Sequence, residues 1–209
     1  MSKVILQEFV TLDGLAAGPD ESVDFIPAST AGDQSFGRRQ LGFIDSVYTI
    51  LLGRAAYEMF AGYWPEVTAG EDKPFADRLN ALPKVVFSRT LDRAPWGAWG
   101  DAAVVRGGAA EEVAKLKQQP GKDMVIWGSL SLARSLMKAG LIDEYQLIVC
   151  PVVLGSGRPL FGDGLGPFDM TLLNTRLFDR GTVLLTYAAA NAPSATEANN
   201  LQPGPKKSS

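Results

Sequence analysis

Three short stretches combine residue types and spacing suited to holding a phosphate. Leu51-Leu52-Gly53-Arg54 places a glycine and then an arginine where an apolar, β-branched run gives way to a helical pattern. Ile126-Trp127-Gly128-Ser129-Leu130 repeats the arrangement with glycine and serine, and Val86-Phe87-Ser88-Arg89-Thr90 ends a strand-like run with two hydroxyls around an arginine. The first turn of a helix carries N–H groups without intrahelical partners and the positive end of the helix dipole, so anions bind there. Glycine lets the backbone approach such a ligand, and arginine adds a planar, charge-assisted clamp. Two glycine-started helices could grip a diphosphate, with Arg54 or Arg89 on an extra phosphate such as the 2′-phosphate of NADP. Each stretch alone has a plainer reading: a glycine that only turns the chain, solvated arginines, and Ser129 as a helix N-cap. Their joint occurrence is what points to a ligand.

Composition removes competing chemistries. The chain has 209 residues and no histidine, which excludes Ser-His-Asp and Cys-His catalysis and every His-containing zinc site. The single cysteine, Cys150, lies in the apolar run Leu147-Ile148-Val149-Cys150 and reads as a buried structural thiol. A net charge of −3 gives no electrostatic footprint for nucleic acid or an anionic membrane surface. No run approaches a membrane span and no signal segment is expected, so a cytoplasmic protein acting on a small molecule is the expectation. Gly155-Ser156-Gly157-Arg158-Pro159 is glycine-rich but is not Gly-x-Gly-x-x-Gly, and Pro159 argues against a helix opening behind it. Gly121-Lys122-Asp123 lacks the spacing of a P-loop. Clustered carboxylates at ligand spacing are missing, so no metal is expected.

The elements that must position these residues read as an α/β alternation. Strands are expected at Lys3–Val10, 47–52, 84–87, 102–105, 124–127 and Tyr145–Leu154, and helices at Asp33–Asp45, Arg54–Ala61, Ala109–Gln118 and from Gly128-Ser129 to Lys138. Met170–Phe178 and Thr182–Tyr187, flanking Asp179-Arg180-Gly181, read as a C-terminal β-hairpin, and Thr11–Gly32 as a long loop. One mixed sheet with helices on both faces follows. The expected domain is 1–190; residues 191–209, rich in proline and without aromatics, read as a disordered tail.

The ordered set Phe9-Val10-Thr11-Leu12-Asp13-Gly14, Leu51 to Glu58, Lys84 to Leu91, Ile126 to Ser129, and Ile142-Asp143-Glu144-Tyr145 running to Phe161 resembles the dihydrofolate-reductase-like superfamily. It is most similar to the branch containing the reductase domain of the riboflavin-biosynthesis deaminase–reductase. The resemblance covers about residues 3–188. It implies a three-layer α/β fold with a mixed, mostly parallel sheet of about eight strands, NADPH as cofactor, and a homodimer. By position it implies that Gly53, Arg54, Ala55 and Ala56 hold cofactor phosphate, that Ser88 and Arg89 face the 2′-phosphate, and that Gly128, Ser129 and Leu130 hold the diphosphate. Val10 and Ala16 would lie near the nicotinamide. Ala56 stands where a threonine is common, and the acidic residue that dihydrofolate reductases carry on the helix before the second strand has no counterpart; its position falls near Gly37, between Asp33 and Asp45.

The implied activity is NADPH-dependent reduction of a pyrimidine- or pteridine-like heterocycle, most like 5-amino-6-(5-phosphoribosylamino)uracil. The alternatives are a dihydrofolate-reductase-like activity and a non-catalytic nucleotide-binding dimer. Asp13 is the candidate catalytic residue and is expected to touch substrate, against the reading that Asp13-Gly14 only makes a turn. Arg158 is the candidate for a substrate phosphate, against simple surface exposure.

Overall fold

Val4–Thr11 forms strand β1, and seven of its eight residues are buried. A strand covered on both faces reads as a near-continuous apolar run instead of an alternation, which is why Val4-Ile5-Leu6 opens it. The computed structural model describes residues 2–119, 121, 123–162 and 164–190. The expected tail at 191–209 lies outside the described residues.

The further strands are β2 (Leu15–Ala17), β3 (Val47–Gly53), β4 (Lys84–Phe87), β5 (Ala94–Pro95), β6 (Asp101–Val105), β7 (Asp123–Trp127), β8 (Glu144–Cys150), β9 (Arg158–Pro159), β10 (Met170–Leu177) and β11 (Val183–Ala189). The helices are α1 (Phe25–Thr30), α2 (Gln34–Ile44), α3 (Arg54–Ala61), α4 (Lys73–Ala81), α5 (Ala109–Gln118) and α6 (Leu130–Lys138). Among the described residues the main sheet has nine strands, in the order β10-β11-β8-β1-β7-β3-β4-β6-β5, one more than expected because of the two-residue edge strand β5. β1 pairs in parallel with β7 and β8, β3 with β7 and β4, and β4 with β6. The β10–β11 hairpin adds to β8 antiparallel, as expected from the turn at 179–181.

Period-two alternation along β1 divides the core. Val4, Leu6 and Val10 pack in one cluster with Val113 of α5 and with Leu132 and Leu136 of α6. Ile5 faces the other way, into a cluster with Phe43 and Ile44 of α2, Tyr57 of α3 and Leu79 of α4. Helices therefore cover both faces, giving three layers.

Several expected boundaries shift. The Thr11–Gly32 loop contains β2 and the short helix α1. β8 ends at Cys150 and not at Leu154, because Pro151 has no N–H to donate to the ladder. Helix α4 had no expectation attached to it. Cys150 is fully buried and burial pushes its thiol pKa up, in keeping with a structural role. No described helix is long and apolar enough to cross a membrane.

Asp33 caps α2, accepting from the Phe36 amide at 2.9 Å, and also accepts from the Arg180 amide at 2.9 Å in the hairpin turn. One carboxylate thus starts a helix and ties down the hairpin. Asp33→Ala should lower unfolding free energy by about 1–2 kcal/mol, the scale of a lost cap with a second charge-assisted bond. Urea titration should show a lower midpoint with an unchanged m-value.

Candidate functional site

β3 and β7 are parallel neighbours, so their C-terminal ends and the helices that follow emerge at the same edge of the sheet. Gly53 is the N-cap of α3 in extended conformation, and Ser129 is the N-cap of α6. Neither helix has a side-chain cap hydrogen bond. Ser129 reaches sideways instead: the Gly53 amide donates to its Oγ at 2.8 Å. Gly128 and Ser129 are both left-handed, at φ +57° and +60°. For serine that conformation costs roughly 1–2 kcal/mol, and the cross-turn bond to Gly53 helps hold it. A Cβ on Gly128 would come within 3.4 Å of the Ala56 Cβ, so the two turns lie close together. Two helix N-termini thus sit side by side with first-turn amides that no side chain caps, a cradle suited to a diphosphate. Gly53, Arg54, Ala55, Ala56, Gly128, Ser129 and Leu130 all belong to it.

Arg54 pairs with Glu58 at 2.9 Å and donates to the Thr90 hydroxyl at 3.2 Å. This bond draws the end of α3 toward the turn after β4. There the buried Ser88 hydroxyl accepts from the amides of Thr90 at 3.3 Å and Leu91 at 3.2 Å, which folds the turn on itself. Arg89 projects from that turn into solvent. Val10 and Ala16 are both buried, at the end of β1 and in β2.

Asp13 is exposed but fully engaged. It accepts from the Thr11 hydroxyl at 2.5 Å and from the amides of Gly155 at 2.8 Å and Leu154 at 3.3 Å. These bonds, the Thr11 hydroxyl first, hold its carboxyl below the usual range, so it carries charge and no proton at neutral pH. Its geometry is that of a clamp joining the loops after β1 and β8. Arg158 pairs with Glu21 at 2.7 Å, where β9 lies antiparallel to β2. Gly157 beside it has φ +149°, and a Cβ there would fall 2.2 Å from the Ala17 carbonyl oxygen. Only glycine lets these loops approach so closely.

On α2, Asp33 is consumed by capping and Asp45 pairs with Arg78 at 2.7 Å. The helix instead offers Arg39 and Gln40 to the sheet. Gln40 Nε2 and Trp127 Nε1 each donate to Gln7 Oε1 at 2.9 Å, and Gln7 Nε2 and Arg39 Nη2 each donate to Gln146 Oε1 at 2.9 Å. Sequence reasoning missed this group; its signal is two glutamines, Gln7 and Gln146, inside strands that otherwise read as apolar.

It also missed Glu8. This residue stands in the middle of β1, is 6 % exposed, and accepts from the Phe9 amide at 3.3 Å. Its other oxygen, Oε2, is buried with no hydrogen-bond partner among the described residues. Burial pushes its pKa up to about 8, although the amides of Phe9 and Gly128 pull the other way. The legible signal was a lone acidic residue in a strand whose both faces are apolar.

Comparison with known proteins fits this geometry. The chain is 34 % identical over 186 residues to the uncharacterized protein YyaP of Bacillus subtilis, covering 88 % of this chain and 94 % of that one. The fold matches the diaminohydroxyphosphoribosylaminopyrimidine deaminase/5-amino-6-(5-phosphoribosylamino)uracil reductase of Thermotoga maritima at a TM-score of 0.60 and 12 % identity, covering 90 % of this chain and 57 % of that one. It also matches the dihydrofolate reductase of Enterococcus faecalis, solved with NADP(H), at a TM-score of 0.58 and 13 % identity, covering 90 % of this chain and 96 % of that one. The architecture is therefore dihydrofolate-reductase-like. The model of the RibD C-terminal domain matches residues 2–184, nearly all of the described chain, and the protein belongs to that family.

Proposed function

We propose that the protein is a cytoplasmic, NADPH-dependent reductase of a pyrimidine- or pteridine-like heterocycle, most like 5-amino-6-(5-phosphoribosylamino)uracil. The observation that carries this reading is the pair of uncapped helix N-termini set side by side by the Gly53–Ser129 bond. Their amides, with Gly53, Arg54, Ala55 and Ala56 on one side and Gly128, Ser129 and Leu130 on the other, suit a diphosphate. Ser88, linked to Arg54 through Thr90, and the exposed Arg89 beside it suit the extra phosphate that separates NADPH from NADH. Val10 and Ala16, small and buried, would wall the nicotinamide. The bound dinucleotide would supply the hydride; the chain binds it, orients it and keeps water out. Asp13 acts in this reading as the clamp on the 154–155 loop and not as an acid. A substrate phosphate at Arg158 would compete with Glu21 for the guanidinium.

The reading includes a homodimer. Leu172, Leu173 and Leu177 of the edge strand β10 are 51 %, 55 % and 72 % exposed. An apolar, unpaired edge of this kind is normally covered, and a second copy is the simplest cover.

A second reading, a nucleotide-binding dimer without turnover, is favoured by one feature: the Gly53 amide is already satisfied by Ser129, and Arg54 by Glu58 and Thr90. Turnover of the phosphoribosylamino-uracil substrate separates the two.

Fluorescence titration should give clearly tighter binding of NADPH than of NADH; equal, weak binding of both would overturn the assignment. Arg89→Ala should weaken NADPH by about 1.5–3 kcal/mol, the scale of a charged hydrogen bond, and NADH much less. Light scattering on the native chain should give twice the monomer mass, and the pair Leu173→Lys and Leu177→Lys should return it to a monomer with an unchanged circular dichroism spectrum.

A further inference from the structure

Reduction of a C=N or C=O bond needs a proton as well as a hydride, and the site must hold it somewhere. There is no histidine, and Asp13 is ionised by its own hydrogen bonds. We propose that Glu8 is the acid of this reductase, with its unpartnered Oε2 carrying the proton that passes to the substrate. The proposal rests on the reductase reading above.

Gln7 of β1 lies beside Trp127, the last residue of β7, so Glu8 stands abreast of Gly128, which opens the diphosphate turn. Glu8 is two residues before Val10 and on the same face of the strand, and the reading sets Val10 beside the nicotinamide. Glu8 is thus the buried carboxyl of β1 beside the wall assigned to the nicotinamide and level with the diphosphate turn. A carboxyl with one oxygen buried and unbonded leaves a cost that a bound partner would remove.

The surroundings fit a neutral acid. That face is lined by Leu6 and Val10 of β1, Ile126 of β7, Leu147 of β8 and Leu132 of α6. Tyr145 of β8 shares the face, but burial pushes its phenol up to about 12, so it stays neutral. On α6, Arg134 is committed to the carbonyls of Pro159 and Leu160. On α5, Lys117 bonds Asp143 at 2.6 Å beside Val4, at the far end of β1. Among the described residues no charged side chain shifts Glu8; its burial favours the protonated form, and its pKa stands at about 8.

The step balances. The electrophilic carbon of the substrate gains the hydride, and the π pair moves to the nitrogen or oxygen. That atom takes a proton as the Glu8 O–H bond breaks. Glu8 is left as a carboxylate just as the nicotinamide becomes cationic, so the buried site has the same net charge before and after. In a medium of low dielectric that pairing costs less than creating either charge alone. Water then returns a proton to Glu8.

Isothermal titration calorimetry at pH 7, in buffers of different ionisation enthalpy, tests this without a turnover assay. NADP+ binding should release roughly one proton per site, by linkage between the cationic ring and the acid; NADPH should release far less. Glu8→Gln, isosteric with the protonated acid, should bind NADPH as the native chain does and show no excess release with NADP+. Its melting temperature should also lose the native chain's decline between pH 5 and 8. Folded Glu8 keeps its proton there while the unfolded chain gives it up, so native stability falls as pH rises toward 8. With the phosphoribosylamino-uracil substrate, kcat should fall roughly 10²–10⁴-fold, with KM for NADPH unchanged. If NADP+ binds the native chain without proton release, or Glu8→Gln releases the same proton, the assignment of Glu8 is wrong. If neither dinucleotide binds the native chain, the reductase reading itself fails and takes Glu8 with it.

Discussion

Parallel strands finish their ladder at a common edge, and each leaves its last backbone groups for the following segment to satisfy. At the β3–β7 edge the solution is mutual. Ser129 forgoes capping its own helix and takes the Gly53 amide instead, held in a left-handed conformation that serine seldom adopts. The bond leaves the first-turn amides of α3 and α6 without side-chain caps and fixes how far apart they stand. An ordinary N-cap, with the hydroxyl turned onto α6, would remove a donor from the cradle and release the Gly53 turn at once. The proposed diphosphate cradle therefore depends on a serine bonding across the turns and not along its own helix.

Two carboxylates, one within β1 and one just past it, show how environment divides roles between similar groups. Asp13 lies in solvent, ringed by two amides and a hydroxyl, and is held as an anion. Glu8, five residues earlier, is enclosed by apolar side chains and keeps its proton past neutrality. Composition could not separate them, because the difference lies in register. Glu8 points inward from β1, whereas Asp13 stands beyond its end.

Much of the architecture was legible because it is local. Gly53 and Gly128 end β-branched runs at the strand-to-helix turns, and α3 occupies Arg54–Ala61, the span its pattern suggested. Asp179-Arg180-Gly181 announced a hairpin that formed, with Gly181 at φ +84°. What escaped was non-local or weakly patterned. Helix α4, mixed in polarity and opened by Lys73-Pro74, gave little periodic signal. β5 is two residues long and exists only through pairing with β6. The Gln7–Gln146 contact joins residues 139 apart in the chain, and no periodicity reports it.

The loops after β1 and β8 are joined along their length: by Asp13 to the amides of Leu154 and Gly155, by the Leu12 amide to the Val152 carbonyl, by the β2–β9 pairing, by Arg158 to Glu21, and by the tight passage of Gly157 over Ala17. Sequence distance hides that they are one mechanical part. Transplanting either loop alone from a relative would import half of a matched pair, so a change in this part of the molecule has to be inherited as two segments together.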